Sequence, residues 1–420
     1  MKREKKMPAL LAGLMMLLLT GSAVAIYFVP DMNVFFLAFY GVLYLLLLVL
    51  GRRIPPAMIA YSRILLGLLF IYSGFVKGVD PLGTMYRVED YYIAYGFGPS
   101  VMSLAIYQSF LMNALEFVLG VSLLFKLKPK LVTVLTALMM LVFTFATYMD
   151  AMYNTVPDCG CFGEALIISN WQTFYKNLTI DAFILVLLFG MRKSKPFFFS
   201  NVEWNMMAIS ALLFLGFEYY NYHYLPVIDF RDYKVGNRLL PENPQPVSYY
   251  LVYQNKETGE KKEYLSKDLP WDDEQWMSEW TFVEQRVDDP NPPLGLAFED
   301  TSGNDVTDAY LTSPDPLFLL ISWDLERFKT KSMEQLLQFA QSCQQEGVSF
   351  VLLTASDEAE ITSFKAKTGL DIEVFRADDI ALKTVVRSNP GLVLLRDSQV
   401  LGKWPWSRLP SFHQTKTLYD

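Results

Sequence analysis

The sequence predicts an α-helical membrane bundle, followed by a small β-rich connector and an α/β domain. Three observations predict it. Up to about Tyr224 the chain is a series of apolar runs, each close to the roughly 20 residues that cross a bilayer core as helix. Beyond that point charged residues, Pro and Gly become common. In this second half apolar runs of strand length alternate with amphipathic runs of helix length. With 420 residues, 52% hydrophobic and 15% aromatic, the chain is too long for one compact domain. The net charge of −8, carried mainly by the second half, argues against a nucleic-acid partner.

Seven spans are expected, over residues 8–28, 33–50, 57–78, 104–126, 131–150, 174–191 and 204–224. In lipid each segment must satisfy its own backbone hydrogen bonds, which leaves helix as the solution. The first run starts basic (Lys2, Arg3, Lys5, Lys6) and ends on Ala23-Val24-Ala25. That pattern also fits a signal peptide; the run is read as a retained helix. Basic flanks at Lys2–Lys6, Arg52-Arg53, Lys126/Lys128/Lys130 and Arg192-Lys193/Lys195 alternate with neutral or acidic loops. By the excess of Lys and Arg on the cytoplasmic side, the N-terminus lies inside. The loop holding Cys159 and Cys161, and everything from about Leu225, then lies outside. For a bacterial inner membrane that is the periplasm, where disulfides persist. The expected organisation is a helix pair over 1–56, a four-helix unit over 57–195 and a final helix over 196–225. A β-rich connector over 226–296 and an α/β domain over 297–410 follow.

The segment Val156-Pro157-Asp158-Cys159-Gly160-Cys161-Phe162-Gly163 carries two of the three cysteines. A disulfide across a single residue closes a very small ring, stores strain and is readily reduced. It is a poor staple, because so short a loop has little entropy to lose. Gly160 permits the unusual backbone torsions such a turn needs. Cys159 and Cys161 are therefore the candidate redox pair, with a loop-shaping role as the alternative. A zinc site would need further ligands nearby.

Ionisable residues inside spans are the second signal. Arg63 sits roughly 10 Å, and Glu116 and Asp181 roughly 15 Å, from one face at 1.5 Å rise per residue. Charges at such depth are costly and normally face a bundle interior in pairs. Arg63 with Glu116 is the expected pair, lining a proton path or a polar quinone-headgroup site; the alternative is an ion pair that fixes helix register. Arg63 also has the length to snorkel to the interface. Lys77, at the end of the third span, would lower the pKa of a nearby thiol, or simply be solvated. Tyr91, Tyr92, Tyr95 and Trp171 read as interfacial aromatics.

From about Tyr61 to Arg192 the sequence resembles the DoxX-like membrane family and, within it, the MauE-type branch. The resemblance is carried by Arg63-Ile64-Leu65-Leu66-Gly67, Ser73-Gly74-Phe75-Val76-Lys77, Asp80-Pro81, Glu116, Gly120 and, most specifically, Cys159-Gly160-Cys161-Phe162-Gly163. Val79-Asp80-Pro81-Leu82-Gly83 with Tyr91-Tyr92 is similar to Bacteroidetes-type members, many of which carry a thioredoxin-like tail. The resemblance implies a four-helix membrane unit tied to thiol redox or to maturation of disulfide-containing partners.

In the soluble region, Ser248–Tyr253 reads as a strand and Lys256-Glu257-Thr258-Gly259-Glu260 as a hairpin turn. Strands are expected at Leu317–Ser322, Val348–Leu353 and Ile372–Phe375, and a hairpin over Gly391–Leu395 and Gln399–Lys403. Helices are expected at Lys331–Gln345, Glu358–Thr368 and Asp379–Val386. This order resembles a thioredoxin-like domain, with Asn389-Pro390-Gly391 at the cis-proline position. Where that fold carries Cys-x-x-Cys, this chain reads Trp323-Asp324-Leu325-Glu326. The resemblance thus implies a binding groove shaped by Pro390 without thiol chemistry. Cys343 shares the apolar helix face of Leu336 and Ala340 and reads as a buried thiol.

The function expected from these residues is thiol–disulfide redox chemistry in the membrane. Cys159 and Cys161 would exchange electrons with a periplasmic thiol or disulfide protein, and a quinone near Arg63 and Glu116 is the candidate electron sink. The alternative is a non-catalytic envelope assembly factor whose thioredoxin-like domain is a binding module. A transporter rests only on the acids at mid-membrane depth. Lipid is the other expected partner, no metal is expected, and the oligomeric state is not fixed by the sequence.

Overall fold

A computed structural model describes residues 7–156, 166, 168–190, 194–241, 246, 248–288 and 295–420. The chain divides into two compact units, Met1–Arg231 and Asp232–Asp420.

The first unit is helical. It comprises α1 (Ala9–Ala25), α2 (Val34–Leu50), α3 (Pro56–Val79), α4 (Pro81–Ala94), α5 (Pro99–Met102), α6 (Ala105–Phe125), α7 (Pro129–Tyr153), α8 (Asn170–Gly190) and α9 (Ser200–His223). Six helical stretches are long and apolar enough to cross a membrane: Leu10–Phe28, Val34–Arg53, Pro56–Val79, Ser100–Phe125, Pro129–Tyr153 and Asn170–Gly190. These mark a multi-pass membrane protein. The seventh expected span corresponds to α9, which is helical over the expected length but is not one of the six. Its Glu203, Glu218, Asn205 and Asn221, with a run of tyrosines, dilute its apolar character. Sequence reasoning also passed over α4 as a loop. The signal for it was present, because Asp80 caps the helix by accepting from Gly83 N–H at 3.0 Å and Pro81 occupies its first turn.

Small residues set the helix packing. α3 and α6 cross at Gly67, Gly74 and Gly120. A Cβ added at Gly120 would sit 2.6 Å from the backbone nitrogen of Ile71, and one at Gly67 would sit 2.9 Å from that of Leu124. Such close backbone approach is how helices associate where no hydrophobic drive exists between them. α8 runs through the middle of the unit, packed on α1, α2, α3 and α7. Its Tyr175, Ala182, Val186 and Leu187 are fully buried, and Tyr40 and Thr179 share a hydrogen bond of 2.6 Å between their hydroxyls. α9 packs on α6, α3 and α4.

The second unit holds two sheets. β1 (Ser248–Asn255), β2 (Lys261–Leu265) and β3 (Trp280–Asp288) form an antiparallel sheet in the order β2-β1-β3. The turn over residues 256–260 forms as expected, with Gly259 in the left-handed region at φ +71° and Asn255 Oδ1 accepting from the N–H groups of Glu257 and Thr258. The short helix α10 (Glu274–Glu279) precedes β3. The larger sheet comprises β4 (Phe298–Glu299), β5 (Leu317–Ser322), β6 (Ser349–Thr354), β7 (Glu373–Ala377), β8 (Gly391–Arg396) and β9 (Gln399–Pro405), in the order β4-β7-β6-β5-β8-β9. β5, β6 and β7 run parallel, while β8 is antiparallel to β5. Its helices are α11 (Thr307–Leu311), α12 (Met333–Glu346), α13 (Glu358–Thr368), α14 (Asp379–Val385) and α15 (Phe412–Lys416). β5 and β6 read as near-continuous apolar runs because parallel strands bury both faces. Every residue of β5 is buried, and Phe318, Leu320, Leu352, Phe339 and Phe412 share one core.

Candidate functional site

The strongest polar feature of the described residues lies inside the helical unit. Lys77, in the last turn of α3, donates to Glu116 Oε2 on α6 at 2.6 Å, and each side chain is only 6% exposed. The Lys77 ammonium also stands 5.4 Å from the Phe143 ring centre on α7, a favourable cation–π contact. Lys176, in the second turn of α8, interacts electrostatically with both Lys77 and Glu116. α3, α6, α7 and α8 thus converge on one buried group of charges. Two charges taken out of water are held there only because each neutralises the other.

Glu116 is therefore paired, but not with the expected residue. Arg63 lies three to four turns from Lys77 on the same helix. Its guanidinium donates to the carbonyl oxygen of Leu123 at 2.6 Å and to that of Leu124. Those carbonyls lie in the last turn of α6, where the dipole favours a cation; the Leu123 oxygen also accepts from the Lys126 N–H at 3.2 Å. The Phe197 ring centre lies 5.7 Å from the guanidinium carbon. Arg63 is buried. Sequence spacing put Arg63 and Glu116 at similar depths; the antiparallel register of α3 and α6 set by Gly67 and Gly120 separates them. Arg63 and Glu116 are thus each engaged with a different partner.

The end of the unit from which residues 157–165 continue is lined with further polar contacts. Asn170, the first residue of α8, donates to the carbonyl of Val156 at 3.0 Å and to Asn154 Oδ1 at 3.1 Å. Asp150, in the last turn of α7, is almost fully buried and accepts from the Tyr91 hydroxyl of α4. Asn177 donates to Thr147 at 3.0 Å. Tyr91 therefore has a specific carboxylate partner, beyond the interfacial role that its sequence context predicted. Asp181 accepts from Thr144 at 2.7 Å. Cys159 and Cys161 lie outside the described residues.

In the sheet unit the Asn389–Pro390 peptide bond is cis. Asn389 Oδ1 accepts from Ser322 at 2.6 Å, and Asn389 Nδ2 donates to the Asp324 carbonyl at 2.8 Å. The Trp323–Glu326 segment is thus tied to the chain that enters β8. Pro390 itself is buried, while Glu326 is exposed. Cys343 is 1% exposed in α12, and burial pushes its thiol up to about 12. A thiol so rarely ionised is a poor nucleophile, in line with the buried position that its helical spacing indicated. No group of three or more His, Cys, Asp or Glu side chains is placed to hold a metal ion among the described residues.

Residues 55–191 match the family model of the methylamine utilisation protein MauE. The match covers α3 to α8, about a third of the chain, and it contains Arg63, Lys77, Glu116, Lys176 and both loop cysteines. The helices α1, α2 and α9 and the whole sheet unit lie outside it. No curated protein and no solved structure matches the chain.

Proposed function

We propose that this chain is an inner-membrane thiol–disulfide exchange protein that matures a partner on the periplasmic side. The observation that carries the proposal is the match of residues 55–191 to a membrane family, over a segment that encloses both the buried Lys77–Glu116–Lys176 group and the Cys159-Gly160-Cys161 sequence. A thiolate of the partner attacks one sulfur of the Cys159–Cys161 disulfide, and the other sulfur leaves as a thiolate. The partner's second thiolate then resolves the mixed disulfide. The partner gains a disulfide, the loop becomes a dithiol, and two electrons move with no other reactant.

The sheet unit supplies binding in this proposal. Of the chain's three cysteines it holds only Cys343, which is buried. Its thioredoxin-like reading rests on element order and on Asn389-Pro390, and the exposed rim beside Trp323–Glu326 is the surface offered to a partner.

Thiol trapping in membranes tests the proposal. In membranes treated with a thiol oxidant, which takes up the two electrons, the remaining loop cysteine of Cys161→Ser or Cys159→Ser is expected to be captured in a mixed disulfide with a partner protein, released by reductant, and the double variant is expected to be captured in none. Cysteines that stay reduced in aerated cells, or full partner maturation by the double variant, would overturn it. That second outcome, with a partner still captured, would leave a non-catalytic assembly factor, the reading favoured by Trp323–Glu326 standing where a thiol motif would be.

A further inference from the structure

The helical unit contains a second buried carboxyl, and nothing neutralises it. Glu218 lies on α9 and is 0% exposed. Neither of its carboxylate oxygens takes part in a hydrogen bond of acceptable geometry. Its side chain packs over the backbone of α3, 3.3 Å from where a Cβ on Gly78 would stand. Asn221, one turn further along α9, donates to the Gly78 carbonyl at 3.0 Å and holds the two helices together there. Aromatic rings close the surroundings. Phe214 stacks on Phe117 with centroids 4.4 Å apart, and Phe217 on Phe75 at 5.4 Å.

The polar group facing Glu218 is the side chain of Asn113 on α6. Asn113 has a complementary deficit. It is 0% exposed, its Nδ2 reaches Thr84 Oγ1 of α4 at 3.5 Å, and its Oδ1 accepts nothing. The charged residues of the packed helices are engaged elsewhere: Lys77 of α3 with Glu116 of α6, and Arg87 with Asp90 on α4. Asp80 caps α4, and Glu89 lies more than a turn beyond Thr84 along that helix. Lys176 of α8 faces the Lys77–Glu116 pair.

An ionised carboxylate enclosed by apolar groups with no counter-charge is strongly disfavoured, and such a group takes up a proton instead. One proton removes both deficits. A neutral Glu218 has an O–H to donate, and Asn113 Oδ1 is an acceptor without a donor. Turning the amide about would offer one N–H to one of two oxygens, and would still supply no counter-charge. We propose that Glu218 is a proton-binding site of the membrane unit, a carboxyl held neutral between α9, α3 and α6 and donating its O–H to Asn113. The site is completed by α9, which lies outside the family match, so it is a feature of this chain rather than of the matched segment. It does not depend on the thiol proposal. Asn113 and Glu116 are three residues apart on α6, so the proton site and the ion pair lie a turn apart along one helix.

Infrared spectroscopy of the full chain in lipid nanodiscs at neutral pH tests this. The wild type is expected to show a neutral-carboxyl carbonyl band that Glu218→Gln removes and that shifts when the protein is moved into D2O. Asn113→Leu, which deletes the acceptor, is expected to keep that band but move it to higher frequency. Glu218→Gln, neutral and still a donor, is expected to keep the wild-type unfolding temperature, whereas Glu218→Ala lowers it. A spectrum in which Glu218→Gln removes no such band, a band blind to D2O, or one that Asn113→Leu leaves in place would overturn the proposal. Should Glu218→Gln fail to fold, the Asn113→Leu shift and the D2O shift still decide it.

Discussion

The two units bury different things. The helical unit encloses Arg63, Lys77, Glu116, Asp150, Glu203 and Glu218, whereas Arg387 is the one charged side chain buried in the sheet unit among the described residues. The sheet unit's interior is instead aromatic and aliphatic, with Phe318, Phe339 and Phe412 packed edge to face or tilted around β5. Burial of charge is expensive in either setting, so a unit that repeats it at several helix crossings is organised around those groups. The sheet unit has the composition of a folded module that presents a surface. In the proposed function the chemistry belongs to the helices and recognition to the sheets, and this contrast in what is buried supports that division.

The sharpest way to break the comparison is to unbalance the ion pair. Lys77→Ala leaves Glu116 buried without its hydrogen-bonded counter-charge, and is expected to cost about 3–5 kcal/mol. The double replacement Lys77→Met with Glu116→Leu is expected to be near neutral for stability while abolishing partner maturation. Denaturant titration in mild detergent reads the first effect, and partner redox state reads the second. A double variant that matures its partner normally would reduce the pair to a packing device.

The next largest effect is expected at the helix crossing. At Gly120 a side chain meets the backbone of α3 rather than a flexible side chain, so Gly120→Leu is expected to destabilise the helical unit by about 3 kcal/mol or somewhat more. Limited proteolysis should show the sheet unit intact in this variant. Loss of both units together would show that they fold as one. Arg63→Met removes the donors from the last carbonyls of α6 and is expected to cost about 1.5–3 kcal/mol. It should leave the Lys77–Glu116 pair untouched, so its effect should add to that of Lys77→Ala.

The smallest effect belongs to the sheet unit and has the opposite chemistry. The Cys343 thiol is raised from its ordinary value near 9 to about 12. The unfolded chain then loses its proton first as pH rises, so stability falls between those two values and is unaffected below them. Cys343→Ala is expected to flatten that alkaline slope in thermal melts of the full chain. At neutral pH Cys343 should resist thiol reagents until denaturant is added. Rapid labelling of native Cys343 would contradict its burial.

Much of the fold was legible because its signals are local. Apolar runs gave the six membrane-length helices, and the alternation of strands and helices gave β5 to β9 with boundaries shifted by a residue or two. Asp357-Glu358-Ala359-Glu360 even spells out the capping box that opens α13. The helix α4 was missed although Asp80-Pro81 announced it, because the residues that follow are mixed polar and aromatic with no strong period. At the candidate site the sequence singled out Arg63, Glu116 and Asp181 as costly; Arg63 and Glu116 are buried and Asp181 is half-buried, while Lys77, expected beside a thiol or in solvent, is buried as well. It chose the wrong partner for Glu116, since depth counted from the end of a span does not give the register of α3 against α6, which the crossing at Gly67 and Gly120 sets. Lys176 and Glu218 drew no attention, because a lone charge in a polar-flanked helix looks like a solvated one until a neighbouring helix covers it.

By itself, then, the sequence determined which segments are apolar enough to enter a membrane, where the thiols stand, and that the second unit lacks the paired cysteines for redox chemistry. These follow from composition and order, which need no knowledge of neighbours. Only the tertiary structure decided that Lys77 meets Glu116, that Arg63 caps α6, and that Glu218 faces Asn113 across a helix outside the family match. Those contacts depend on the register and rotation of helices. The register is fixed by where glycines let two backbones touch, and a linear pattern does not carry it.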